Sequence, residues 1–242
     1  MLERPVVIGK SAPGERRAPF GARLVAIPVR TRLLRPGDDV PGIVAKALRG
    51  IAHAGDVVAV SETAVALAQG RAIAAETIRP SRLAYFLSRR ASALATVNQP
   101  ESLQLVIDQA GAAKVVAAAA AHALGRPFGR RGDFYRILGE AIATIDGYTG
   151  TLPPYERTIV LGPEAPERVA QEIAAQTGAH AAIVDANDLG SVKVLGASPG
   201  VARANVAAAL ASNPHGNGDE QTPLVVLAWR GSGPSPLLEG AA

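Results

Sequence analysis

The chain has no cysteine, which excludes disulfides, thiolate zinc sites and a cysteine nucleophile. Aromatic residues make up only 4% of it. With so few large anchors, close packing of small side chains must build much of the core. No uninterrupted apolar run approaches the ~18 residues of a membrane-spanning helix, so no membrane partner is expected. The N-terminus lacks a long apolar stretch of the secretory kind, and a cytoplasmic location is the expectation. Lysine is scarce, confined to Lys10, Lys46, Lys114 and Lys193. Arginine carries the remaining positive charge in scattered pairs such as Arg16-Arg17, Arg89-Arg90 and Arg130-Arg131. A dense basic stripe is missing, so nucleic acid is not an expected partner. Also absent are a Walker-type loop, a Gly-x-Gly-x-x-Gly turn, a His-Glu-x-x-His pair and a Gly-x-Ser-x-Gly elbow.

What is present is a 242-residue chain, 48% hydrophobic, with net charge +4. That length suits one large domain or two small ones. A mildly basic surface is enough to attract anionic small molecules. Residues 1–22 mix proline, glycine, serine and charge without periodicity and read as a flexible N-terminal arm. Leu24 to Val29 reads as a strand, with Pro28 marking an edge or an end. Pro36-Gly37-Asp38-Asp39 is a turn feeding a helix, with an aspartate as cap and Pro41 in the first turn. Asp56 to Ser61 is a short buried strand. Further helices are expected from Arg79-Pro80-Ser81 (Leu83, Phe86, Leu87 and Leu94 inward), from Pro100 to Gly111, after a capping Asp133, and from Pro166 to Gly178. The alanine-rich run Lys114 to Ala123 fits either strand or helix. Val192 to Leu195 and Leu224 to Trp229 read as strands, Val201 to Leu210 as a helix, and residues 232–242 as a flexible C-terminal tail. This irregular mixture predicts an α+β (mixed α/β) fold.

The stretch Ala181 to Gly190 carries the most chemistry. Four apolar residues run into Asp185, Asn187 and Asp188 and end at a glycine. The pattern reads as a buried strand that presents oxygens beyond the sheet. Oxygen ligands suit hard cations such as Mg²⁺ or Mn²⁺. An Asx-turn, in which the same side chains satisfy local backbone N–H groups, suits the residues equally. An EF-hand is excluded, because Leu189 and Gly196 stand where oxygen ligands are required. Comparable oxygens recur at Ser61, Glu62 and Thr63, at Asp146 and Thr149, and at Asn217, Asp219 and Glu220. Together they suit one or two hard cations bridged by phosphate oxygens. The histidines have no metal-ligand spacing, and His215 is the one inside a polar glycine loop.

Several segments, in order, resemble the coenzyme F420-0:L-glutamate ligase (γ-glutamyl ligase) family. They are Ile27-Pro28-Val29 with Pro36-Gly37-Asp38-Asp39; Gly55 to Ser61 with Gln69-Gly70-Arg71; Asn98 to Val116; Ile145-Asp146; Ile183-Val184-Asp185; and Gly216 to Val226 with Arg230-Gly231. The resemblance implies a two-domain chain within residues 23–231, with no internal boundary marked, that forms an intertwined homodimer. It implies GTP with Mg²⁺ or Mn²⁺, and transfer of L-glutamate onto a carboxylate of a deazaflavin acceptor through an acyl phosphate. By position, Asp146, Asp185 and Asn217 match the family's metal site. Ser61, Glu62, Thr63, Thr149 and the segment Gly216, Asn217, Gly218, Asp219, Glu220, Gln221 match its nucleotide contacts. Four positions depart from the pattern. Leu67 replaces a phosphate-contacting lysine, Ala186 replaces a hydroxyl residue, Thr149 stands for an asparagine, and an arginine-rich segment is reduced to Lys193. A non-catalytic relative that binds a ligand or partner on the same fold is therefore the alternative expectation.

Overall fold

The computed structural model describes residues 23–91, 96–130, 132–139, 145, 154–187, 190–216 and 220–239. In chain order the strands are β1 (Leu24–Val29), β2 (Val57–Ser61), β3 (Ala72–Ala74), β4 (Thr158–Val160), β5 (His180–Ala186), β6 (Val192–Ala197) and β7 (Leu224–Trp229). The α-helices are α1 (Val40–Ala47), α2 (Glu62–Ala68), α3 (Arg82–Ser88), α4 (Pro100–Ala110), α5 (Ala112–Gly125), α6 (Asp133–Leu138), α7 (Pro166–Thr177) and α8 (Arg203–Ala209). A mixed sheet with helices makes the chain α+β, as its pattern implied. It divides into two compact units, one within Met1–Gly70 and Pro163–Ala242, the other Arg71–Gly162.

The first unit is built on a five-stranded sheet of order β1-β7-β2-β5-β6. β2 and β5 run parallel, and the other pairings are antiparallel. Both faces of the sheet are covered, which is why its central strands read as unbroken apolar runs. Val58, Val60, Ile183, Leu224 and Val226 pack against Val40 and Val44 of α1 and Val169 and Ile173 of α7. Val57, Ala59, Val184, Val225 and Leu227 face the other way, against Val206 and Ala209 of α8. Pro28 sits on β1, at the sheet edge, where its missing N–H does no harm. Asp39 caps α1, its carboxylate accepting from the Gly42 N–H at 3.2 Å. Gly178, with φ +74°, closes α7.

Two parts of this unit depart from the sequence pattern. Glu62 to Ala68 forms a helix, α2, that follows β2 without a loop. Ala64 to Ala68 are all buried, so no polar face marks the helical period. Residues 235–239, expected in a loose tail, are packed instead. Leu237 is 0% exposed, Leu238 pairs with Val201, and the Ala202 N–H donates to the Leu237 carbonyl at 2.8 Å. One apolar side chain inserted between α8 and the sheet is what holds this segment down.

The second unit is largely helical, with β3 and β4 as a two-stranded antiparallel pair. Ala84, Leu103, Val106, Ile107, Val115 and Ile159 lie in its core. The undecided alanine run is helical: Val115 and Ala118 of α5 are buried three residues apart, a stripe that exposed alanines conceal. Phe86, expected inward, is instead exposed, with the Arg90 guanidinium 3.6 Å from its ring centroid. Leu94 lies outside the described residues. Asp133 is not a cap but a buried residue of the first turn of α6, held by Arg130 and Arg136.

Candidate functional site

One edge of the five-stranded sheet gathers the described candidate residues. β2 and β5 are parallel, so their C-terminal ends meet there, with Ser61 opposite Val184 and Asp185 one residue beyond. In α/β sheets the crevice outside the carboxyl ends of parallel strands is the usual ligand position. β7 runs antiparallel to both β1 and β2 and therefore starts at this edge. The Ser61 N–H donates to the Pro223 carbonyl at 2.8 Å, and the Thr31 N–H to the Gln221 carbonyl at 3.2 Å. From β1 to β5 the edge spans three inter-strand spacings, about 14 Å at ~4.8 Å each.

Asp185 lies near the end of β5, directly across the ladder from Lys193. Burial raises its pKa above the ordinary carboxylate value, and the Lys193 charge lowers it. An ionised Asp185 is thus under-solvated, and a further cation would stabilise it. The register shifts just before it: Ile183 pairs with Gly196 but Val184 with Val194, leaving Leu195 as an extra residue. Such a bulge increases local twist and re-aims the side chains beside it. Asn187 has a local role of the Asx kind. Its Oδ1 accepts from the Ser191 N–H at 3.2 Å, and its carbonyl accepts from the Gly190 N–H at 3.0 Å.

Ser61 immediately precedes α2, and Glu62 opens that helix as a buried side chain with Thr63 half-buried behind it. Leu67, on the same helix, is 6% exposed. Its isobutyl group is in the interior, where it offers nothing to a phosphate.

The glycine-rich segment is held at both feet. Buried His215 directs Nδ1 at the Thr222 carbonyl, 3.1 Å away, while the Thr222 hydroxyl donates to the His215 carbonyl. Burial drives the His215 pKa down to about 4, against a smaller upward pull from the Thr222 hydrogen bond, so the ring is neutral at pH 7. With Nδ1–H donating to a carbonyl, Nε2 carries the lone pair. It is buried without a hydrogen-bond partner among the described residues. Beside this pair Gln221, next to Thr222, adopts φ +53°, and Asn213, two residues before His215, adopts φ +47°. Left-handed conformations are rare outside glycine, and these two persist because the surrounding hydrogen bonds over-determine them. Gly216 is favoured by its φ of +75°, and the Glu220 carboxylate lies against it, its carboxyl carbon 2.8 Å from where a Cβ would stand.

Asp146, Thr149, Asp188, Asn217, Gly218 and Asp219 lie outside the described residues. Among the described residues no three His, Asp or Glu side chains gather as a metal-holding group. The opposite end of the sheet differs in kind. There Asp56 accepts from the His53 N–H at 2.9 Å and pairs with Arg230 at 3.6 Å, so its charge is consumed structurally. Sequence reasoning did not single out Arg30 at the candidate edge, where its Nε donates to the Glu220 carbonyl at 2.7 Å. A lone arginine in an arginine-rich chain carries no signal that could have marked it.

A mixed sheet with helices on both faces and polar residues at the ends of its parallel strands puts the chain in the α+β class. Within that class the match is specific. A model of the F420-0:Gamma-glutamyl ligase family matches residues 28–184, and the chain belongs to that family of ligases of coenzyme F420 biosynthesis. The matched span includes Ser61 to Thr63, Asp146 and Thr149, and ends one residue before Asp185. No curated protein matches the chain. Among the described residues, no single helix is long and apolar enough to cross a membrane.

Proposed function

We propose that the chain is a GTP- and divalent-metal-dependent ligase that joins L-glutamate by an amide bond to a carboxylate of a coenzyme F420-0-like acceptor. Family membership supports the ligase class. The observation that carries the site assignment is the shared sheet edge, where Ser61, Asp185 and both feet of the glycine-rich segment come together. In this chemistry an acceptor carboxylate oxygen takes the γ-phosphoryl group, releasing GDP and leaving an acyl phosphate. The glutamate amine then attacks the acyl carbon. A C–N bond forms, the C–O bond to phosphate breaks, and the amine proton passes to solvent. Catalysis of this kind rests on positioning and charge neutralisation.

The family resemblance assigns Asp146, Asp185 and Asn217 to the metal, and side-chain oxygens of this kind suit Mg²⁺ or Mn²⁺. An ion held there would neutralise phosphate charge. Ser61, Glu62, Thr63, Thr149 and Gly216 to Gln221 are the proposed nucleotide contacts; no catalytic residue is assigned. The two units are taken as two domains, the chain as a homodimer and the cytoplasm as its place of action.

A second reading, a relative that binds a ligand or partner without ligating, is favoured by two residues. Leu67 is apolar and buried where the family resemblance calls for a phosphate-contacting lysine, and Ala186 lacks the hydroxyl. Calorimetry separates the two. A ligase binds GTP at micromolar concentration only with Mn²⁺, and Asp185→Asn weakens that binding ~100-fold, about 2.7 kcal/mol. Incorporation of labelled glutamate into the deazaflavin acceptor then distinguishes catalysis from binding. Absence of GTP binding to the native chain would remove the first reading.

A further inference from the structure

We propose that Arg30 is a phosphate-contacting residue of the nucleotide site, receiving the β- and γ-phosphates of a nucleoside triphosphate. The inference rests on the nucleotide reading above and adds a residue to it. Arg30 follows β1 directly, at the sheet edge shared by Ser61 and Asp185. Its side chain is exposed, yet its orientation is set: Nε donates to the Glu220 carbonyl at 2.7 Å. That anchor is itself fixed. The next residue on each side is joined by the Thr31 N–H to the Gln221 carbonyl at 3.2 Å, and the His215–Thr222 pair closes the segment behind it. Glu220 turns its carboxylate against Gly216, leaving its carbonyl to Arg30.

One of the five guanidinium N–H donors is thus spent on orientation. The terminal nitrogens Nη1 and Nη2 have no hydrogen bond or ion pair to any described residue. Arg32, two residues on, shows the contrast. Its Nη1–Nη2 edge is committed to Asp38 at 2.7 Å, and the Asp38 carboxylate neutralises its charge. A planar, always-charged fork held by one edge presents the other edge for bidentate recognition of phosphate oxygens. This supplies from β1 the positive charge that buried Leu67 does not supply from α2.

The test compares native chain, Arg30→Gln and Arg30→Lys by calorimetry with GTP in Mn²⁺, with GMP affinity read by competition. The side chain is exposed, and unchanged thermal melting checks that the variants fold. The expected result is a loss of 10-fold or more in GTP affinity for Arg30→Gln, an intermediate loss for Arg30→Lys, and GMP affinity unchanged in both. Native GTP affinity in Arg30→Gln overturns the proposal and leaves the nucleotide reading standing. Equal losses for GTP and GMP also overturn it, because they assign Arg30 only to holding the loop. A native chain that binds no GTP overturns both.

Discussion

Arg32 and Asp38 show how one side chain's chemistry is set by its neighbours. Both carboxylate oxygens of Asp38 accept from Arg32 at 2.7 Å, and Oδ2 also accepts from the Arg35 N–H. The Arg32 hydrogen bonds, followed by that of the Arg35 backbone, lower the Asp38 pKa from 3.8 to about 2. In the unfolded chain these donors are lost and the ordinary value returns. Folding therefore gains from ionised Asp38 above pH ~4, and the gain disappears as pH falls toward 2. Thermal melts at pH 5, 4, 3 and 2 test this. The difference in Tm between the native chain and Asp38→Asn should shrink steadily below pH 4 and vanish near pH 2. A constant difference would show that the turn, not the charge, holds the pair. Residues of this sort are legible in sequence, because turn chemistry is local. Arg30 is not, because its significance depends on a carbonyl 190 positions away.

At the scale of elements, legibility follows whether a polar face exists to reveal the period. α1, α4 and α7 have one, and the proline in each first turn and the closing Gly111 and Gly178 of α4 and α7 stand where the pattern puts them. α2 is buried on every side and α5 is mostly alanine, so neither shows contrast between faces. The bulge on β6 was equally hidden, since an extra residue in a ladder leaves no mark on either strand's composition. Gly196, opposite Ile183 at that bulge, marks where β6 meets the start of α7. A Cβ there would lie 2.3 Å from the Pro166 carbonyl carbon and 2.4 Å from the Glu167 nitrogen. Both are backbone atoms at the first turn of a helix whose Val169 and Ile173 are buried, so the helix as a whole must yield. Gly196→Ala is expected to cost about 1–3 kcal/mol, the range of core overpacking. Urea denaturation measures it as a lower midpoint with an unchanged slope. A midpoint equal to that of the native chain would mean that α7 slides at no cost. Because the bulge adjoins Asp185, the same variant tests how firmly the sheet edge is set.

At the scale of the whole molecule, exposed apolar surface is unevenly shared. Of the exposed large apolar side chains among the described residues, Val25 belongs to the first unit. Tyr85, Phe86, Val116, Leu124, Phe128 and Ile137 all belong to the second. Leu124 is 73% exposed and Phe128 83%, on α5 and on the short turn that follows it. Scattered apolar residues need no explanation, but Leu124 and Phe128 are four positions apart and the most exposed of the set, which marks that end of α5 for a covered surface. In a chain with so few aromatics, two phenylalanines and a tyrosine standing outward are a large share of its anchors. Aromatic side chains are the usual hot spots of interfaces. A second copy of the chain is the proposed cover, which agrees with the homodimer that the family resemblance implies. Sedimentation velocity at micromolar concentration should then give a dimer. Replacing Leu124 and Phe128 together by glutamate should give a monomer. Both side chains already face solvent in the single chain, so the melting of the monomer should fall only by the stabilisation that association supplied. A native chain that sediments as a monomer would reject the proposal. A doubly substituted chain that remains dimeric would move the contact elsewhere on the second unit, to the exposed faces of α3 and α6.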